Sequence, residues 1–168
     1  NRILYDRKTM KNIIIIIPVY NDWESLNKLL QDIDKIIANI EGAKFSGIII
    51  NDASTISDKE IIKPKNFTFL KIIELKDNQG HARCNALGLR YVSGNEKFDY
   101  VILMDGDGED RPVEIRDLIE KALQTKESSV VAKRIKRSEG PIFQFLYEAH
   151  KILTLIFTGK KINFGNYS

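Results

Sequence analysis

"NIIIIIPVYND", residues 12–22, sets five consecutive isoleucines before a proline and a polar turn. Side chains in a strand alternate between its two faces. A strand with isoleucine at every position must therefore be buried on both sides. That pattern belongs to a parallel sheet covered by helices on each face. The run is far short of the roughly 20 apolar residues of a membrane span.

Working outward, "SGIIIN" (46–51), "FTFLKIIEL" (67–75), "DYVILM" (99–104) and "SSVVAKR" (128–134) also read as strands. Three of the five strands are continuously apolar. Between them, "WESLNKLLQDIDKIIANI" (23–40) places Leu26, Leu29, Leu30, Ile33, Ile36, Ile37 and Ile40 on one helical stripe. "GHARCNALGLRYV" (80–92) and "PVEIRDLIEKALQ" (112–124) give two more helices. Pro112 suits a first turn and Glu114 its positive dipole end. Alternating strands and helices predict an α/β layered domain. Ligands of such sheets lie beyond the carboxyl ends of the strands. Four polar loops fall there: "PVYND", "NDAST", "KDNQGHAR" and "DGDGED".

The chain has 168 residues, enough for one domain with a sizeable core. Its 43% hydrophobic and 29% charged residues are an ordinary globular balance. A formal charge of +3 gives no reason to expect nucleic acid. One cysteine, Cys84, excludes an internal disulfide and fits a reducing compartment. No secretory signal is visible, so the sequons at Asn66 and Asn166 are expected to stay unmodified. "MKNIIIII" at Met10 looks like a natural start. Residues 1–9 then read as an upstream or added segment, residues 10–168 as one domain, and the ending "INFGNYS" as a truncation.

The last of the four loops is the most demanding. Asp105, Asp107, Glu109 and Asp110 bring four carboxylates into six residues, with no basic neighbour before Arg111. Two such charges about 4 Å apart repel by roughly 4 kcal/mol at an effective dielectric of about 20. Open water or a bound cation must relieve this. In an extended segment Asp105, Asp107 and Glu109 would point the same way. Three converging carboxylates suit a hard divalent cation, Mg²⁺ or Mn²⁺. The plainer reading is a solvated acidic turn, with Asp110 capping the next helix. An EF-hand is excluded, because its sixth and twelfth positions would be Asp110 and Arg116 rather than Gly and Glu. A haloacid-dehalogenase-type phosphatase would carry its DxD after the first strand, not the fourth.

Taken together, "IIIPVYND", "IIINDAST", "NQGHARCNALGL" and "YVILMDGDGEDRPVEI" resemble the family 2 glycosyltransferases of the GT-A fold. The likeness runs over about residues 12–137. It implies a Rossmann-like three-layer α/β/α domain with a mostly parallel central sheet. It also implies an inverting, metal-dependent transfer of a sugar from a nucleoside-diphosphate sugar. Position by position, Pro18 and Tyr20 resemble the loop against the nucleotide base. Asp52 resembles the aspartate that reads the base edge, while Asn51 replaces the acid usual before it. Gly80 opens the helix segment beside the base, and Arg83 is placed to reach the base or a phosphate. Asp105 resembles the residue facing the ribose, and Asp107 the metal ligand. Glu109 stands where one branch carries a Gln or similar ligand, and it adds a negative charge. The plainer alternatives are an Asx turn between Asp52 and Ser54, and a solvated helix-start residue at His81.

Charge grows on the departing diphosphate during such a transfer, so a cation and basic side chains are expected there. Within "AKRIKR" (132–137), Arg134 and Arg137 suit phosphate oxygens. Their spacing resembles the R-x-x-R of transferases that use polyprenyl phosphates, as in the dolichyl-phosphate mannosyltransferase-like branch. A lipid phosphate is already anionic and needs no general base. A saccharide hydroxyl, as in cell-surface polysaccharide synthesis, would need one, and residues 138–168 offer no obvious candidate. "PIFQFLYEAHKILTLIF" (141–157) carries an apolar helical stripe that suits either core packing or a membrane surface. The resulting expectation is a cytoplasmic transferase, at the inner face of the membrane if its acceptor is a lipid. A UDP-sugar is favoured as donor, with a GDP-sugar as the other choice. Competing readings are nucleotidyl transfer, for which "PVYND" lacks a Gly- and Arg-rich loop, and a non-catalytic nucleotide-sugar-binding module.

Overall fold

The first strand, β1 (Lys11–Val19), shows why its sequence is apolar throughout. Ile13, Ile15, Ile17 and Val19 enter one core, and Ile14 and Ile16 enter a second on the opposite face. In the computed structural model, which describes residues 10–56, 60–106 and 112–124, the other elements arrange themselves around this strand. They are α1 (Trp23–Ile37), β2 (Ala43–Asn51), β3 (Phe67–Glu74), α2 (His81–Asn95), β4 (Tyr100–Leu103) and α3 (Glu114–Gln124).

The strands form one sheet in the order β3-β2-β1-β4, and every pairing is parallel. Residues of α1 and α3 share the first core with β1, and Cys84 and Val92 of α2 share the second. This is the expected three-layer α/β/α architecture. A fully buried Leu or Ile is worth about 1.5–3 kcal/mol, and α1 alone supplies Leu26, Leu30 and Ile33 at 0% exposure. The strand order reverses between β1 and β4. In open α/β sheets such a reversal opens the crevice that takes ligands.

Three helix ends differ from expectation, the first being the start of α3, which opens at Glu114 after a turn in which Ile115 N donates to Pro112 O at 3.1 Å, rather than at Pro112 itself. The stripe predicted α1 to reach residue 40, yet it stops at Ile37. Asn39 and Ile40 donate to Ile36 and Ile37, at 3.3 and 3.0 Å, in tighter turns. Gly42, at φ 79°, then turns the chain toward β2, and its carbonyl accepts from Lys11 N at 2.9 Å. Conversely, α2 continues beyond residue 92 to Asn95, with Glu96 N bonded to Val92 O at 3.0 Å. The expected strand 128–134 and the amphipathic stretch 141–157 lie outside the described residues. Among the described residues, no helix is long and apolar enough to cross a membrane.

Candidate active site at the carboxyl edge

The four loops predicted to gather at one edge do so, and each is tied to the next by a named contact. Asn21, after β1, joins the first loop to the second. It adopts φ 59°, and its Oδ1 accepts from Thr55 N at 2.7 Å and Ile56 N at 2.9 Å. Its own backbone N–H donates to Ser54 Oγ at 2.9 Å. Asn is among the few residues that tolerate this left-handed backbone.

Asp52 joins the second loop to the third. Its backbone N–H donates to Val19 O at 2.9 Å, which extends the sheet pairing by one step. Its carboxylate turns toward the start of α2, where Oδ1 accepts from Gln79 N at 2.6 Å and Oδ2 from Gly80 N at 2.9 Å. Gly80 is the N-cap at φ 80° and has no side chain with which to cap the helix, so Asp52 serves from another loop. A carboxylate beside those N–H groups also favours the positive helix end. Asp52 is only 4% exposed. Beneath it, burial pushes the Cys84 thiol up to about 12, and the hydrogen bond to Asp52 adds to that shift.

His81, the first residue of α2, joins the third loop to the fourth. Its Nε2 lies 2.7 Å from Asp105 Oδ1, with the two side chains 32% and 40% exposed. The fourth loop returns to the first through Gly106. A Cβ added there would lie 2.6 Å from the Pro18 carbonyl oxygen, so only glycine allows this approach. Met104 N donates to Ile16 O at 3.0 Å and delivers Asp105 and Gly106 beside β1. The loops thus close a ring over the sheet edge at its switch point.

Of the residues named from sequence, Pro18, Tyr20, Asp52, Gly80, Arg83 and Asp105 all fall on this ring. Tyr20 is 49% exposed, an aromatic face left open at the mouth. Arg83 is exposed and reaches Gln79 Oε1 at 3.3 Å. Asp107, Glu109, Arg134 and Arg137 lie outside the described residues. Among the described residues no three His, Cys, Asp or Glu side chains form a metal-ligand set. The described strand ends at Leu103 and Gly106 lies in a turn, and the extended alignment expected for Asp105, Asp107 and Glu109 depends on residues beyond those described.

Two smaller expectations also change. The Asx turn onto Ser54 is made by Asn51, whose Oδ1 accepts from Ser54 N at 3.0 Å, and not by Asp52. The Asn51 amide nitrogen donates to Glu74 of β3, a partner that an acid at position 51 would repel. His81 is engaged by Asp105 instead of being a solvated helix start. Only the fold brings these two residues together, because 24 positions separate them and no periodicity links them.

An uncharacterized protein of Methanocaldococcus jannaschii is 25% identical over 125 residues, covering 73% of this chain and 52% of that protein. The undecaprenyl-phosphate 4-deoxy-4-formamido-L-arabinose transferases of Salmonella paratyphi B and Salmonella newport are each 28% identical over 170 aligned positions. They match 98% of this chain and 49% of their own length. The chain spans about half the length of these curated relatives. The profile described as Glycosyl transferase family 2 matches residues 14–167, and the chain belongs to that family.

Proposed function

We propose that this domain is a metal-dependent, inverting glycosyltransferase. It moves a sugar from a nucleoside-diphosphate sugar to a polyprenyl phosphate, on the cytoplasmic side of a membrane. The observation that carries this reading is the closed ring of loops at the switch point, with the Asp105 carboxylate held at its rim. The choice of acceptor draws on the Salmonella relatives, whose names specify undecaprenyl phosphate, and on the Arg134 and Arg137 pair.

The residues divide the work. Tyr20 offers an apolar face on which a base can stack, and Pro18 stiffens the backbone beside it. A carboxylate has about four acceptor positions. Gln79, Gly80 and the Cys84 thiol take three of those on Asp52, which leaves one for an N–H on the base edge. Arg83 follows on α2, within reach of the base or a phosphate. Asp105 faces the ribose side, and Arg134 and Arg137 bind phosphate oxygens.

The chemistry suits a hard cation, since Asp105 sets a carboxylate at the rim and two further carboxylates, Asp107 and Glu109, follow it in sequence. Mg²⁺ or Mn²⁺, when bound, supplies positive charge where the leaving diphosphate gains negative charge. Asp107 and Glu109 would hold it. The acceptor phosphate attacks as an anion, so the chain supplies orientation and needs no general base.

A UDP-sugar is the favoured donor and a GDP-sugar the alternative. Thermal unfolding tests the reading. UDP or GDP together with Mn²⁺ should raise Tm well beyond the sum of either added alone. Asp107→Ala should abolish that joint shift. A variant that kept the whole shift would remove Asp107 from the metal site. Release of nucleoside diphosphate that depends on an added short-chain polyprenyl phosphate would establish the acceptor, and release driven only by saccharides would replace it.

A further inference from the structure

Resting on the donor-binding reading above, we infer that His81 is a positioning residue whose imidazole Nε2–H holds the Asp105 carboxylate at the rim of the ring. Two contacts meet at this one nitrogen, and a third observation concerns the Asn85 amide that makes one of them. Asp105 Oδ1 lies 2.7 Å away, from the loop after β4. The Asn85 amide lies 2.8 Å away, one turn further along α2. The Asn85 Oδ1 is buried and has no hydrogen-bond partner.

A carboxylate only accepts, so Nε2 carries the proton in this contact. A nitrogen that donates cannot also accept from an amide NH₂. The amide end facing it is therefore the carbonyl oxygen, since the two ends of an Asn amide are nearly equal in size and are assigned from their partners. That assignment removes an encounter of two donors, and the single Nε2–H, directed at Asp105 Oδ1, is shared with the Asn85 carbonyl oxygen as a three-centre contact. His81 is then gripped from two sides, by its own helix and by the acidic loop. The helix start is itself anchored by Asp52, so the orientation of Asp105 derives from the buried scaffold.

Fixing a side chain before the ligand arrives removes its ordering cost from the binding step. For one carboxylate, that cost corresponds to a two- to roughly tenfold change in affinity. Sequence spacing gives no hint of this role.

The test compares wild type, His81→Ala and His81→Gln by calorimetric titration of UDP and GDP, each with Mn²⁺. Urea midpoints are measured beside it, and imidazole ¹⁵N shifts are recorded without metal. His81→Ala should bind roughly two- to tenfold more weakly at an unchanged urea midpoint. His81→Gln, whose amide nitrogen can replace Nε2–H, should recover most of the loss. If His81→Ala also lowers the midpoint, the Gln variant decides. The metal-free ¹⁵N shifts should report the Nε2–H tautomer, and Asp105→Ala should erase that preference. Equal binding by wild type and His81→Ala, or a neutral ring that carries its proton on Nδ1 alone, would overturn the role while leaving the donor site intact. Absence of binding by wild type would remove the donor reading and this role together.

Discussion

The two ties that α2 makes at its N-terminus are built from different materials. At Asp52 a buried carboxylate meets two backbone N–H groups and a buried thiol. At Asp105 a half-exposed carboxylate meets a half-exposed imidazole. Backbone donors cannot swing away, and a buried acceptor that loses them has no water to turn to. Side chains at a rim keep water as an alternative partner, so losing one costs the fold little. The contrast separates scaffold from working surface within one helix turn. It teaches that a residue implied by family likeness to read a base can also hold up the fold.

The sharpest way to break the contrast is to remove the scaffold tie. Asp52→Ala leaves Gln79 N, Gly80 N and the Cys84 thiol without their acceptor, and should cost about 3 kcal/mol in urea unfolding. Asp105→Ala should leave the urea midpoint within about 0.5 kcal/mol of wild type, as expected for rim side chains. Equal losses at the two positions would erase the distinction. Next in size is Gly106→Ala. A methyl group 2.6 Å from the Pro18 carbonyl must push the acidic loop away from β1, at about 1–3 kcal/mol. Nucleotide binding should weaken more than stability does, and titration beside denaturation would show it.

Cys84 supplies a pH signature for the buried side. Its folded pKa, raised from 9.0 to about 12, exceeds the unfolded value. The neutral thiol therefore contributes stability that is complete below pH 9 and is lost as pH rises toward 12. Wild type should lose stability over that window relative to Cys84→Ala, and native Cys84 should resist alkylation until the chain unfolds. The smallest effect lies at the amino edge of the sheet. Asp99 accepts from Asn12 N at 2.8 Å and from Lys11 Nζ at 2.9 Å, and the first of these contacts does most to hold its carboxyl below the ordinary 3.8. Its stabilising effect is present above pH 3.8 and fades as pH falls through the lowered value. Asp99→Asn should cost less than about 1 kcal/mol at neutral pH, with the gap closing in acid and nucleotide binding untouched.

Much of this was legible in the chain itself. Unbroken isoleucine in β1 required cover on both faces, and α1 and α2 provide it. The four polar loops followed from strand order alone, because parallel strands end on the same side. Contacts across loops were not legible. Asp52 looks like any loop aspartate until the backbone of Gln79 and Gly80 arrives beside it, 27 and 28 residues later. The same holds for Asn51 and Glu74, which only the β2–β3 register brings together. The end of α1 escaped prediction because Ile40 continues the apolar stripe while the chain is already leaving the helix.

Paramagnetic broadening by Mn²⁺ in the presence of a nucleoside diphosphate tests the central claim most directly. In ¹⁵N-labelled protein the amide signals of Asp52, Gly80, His81, Met104 and Gly106 should broaden together, while those of Asn12 and Asp99 at the opposite edge stay sharp. Broadening scattered over the surface, or confined to the amino edge, would contradict a ring of loops that seats a metal–nucleotide complex.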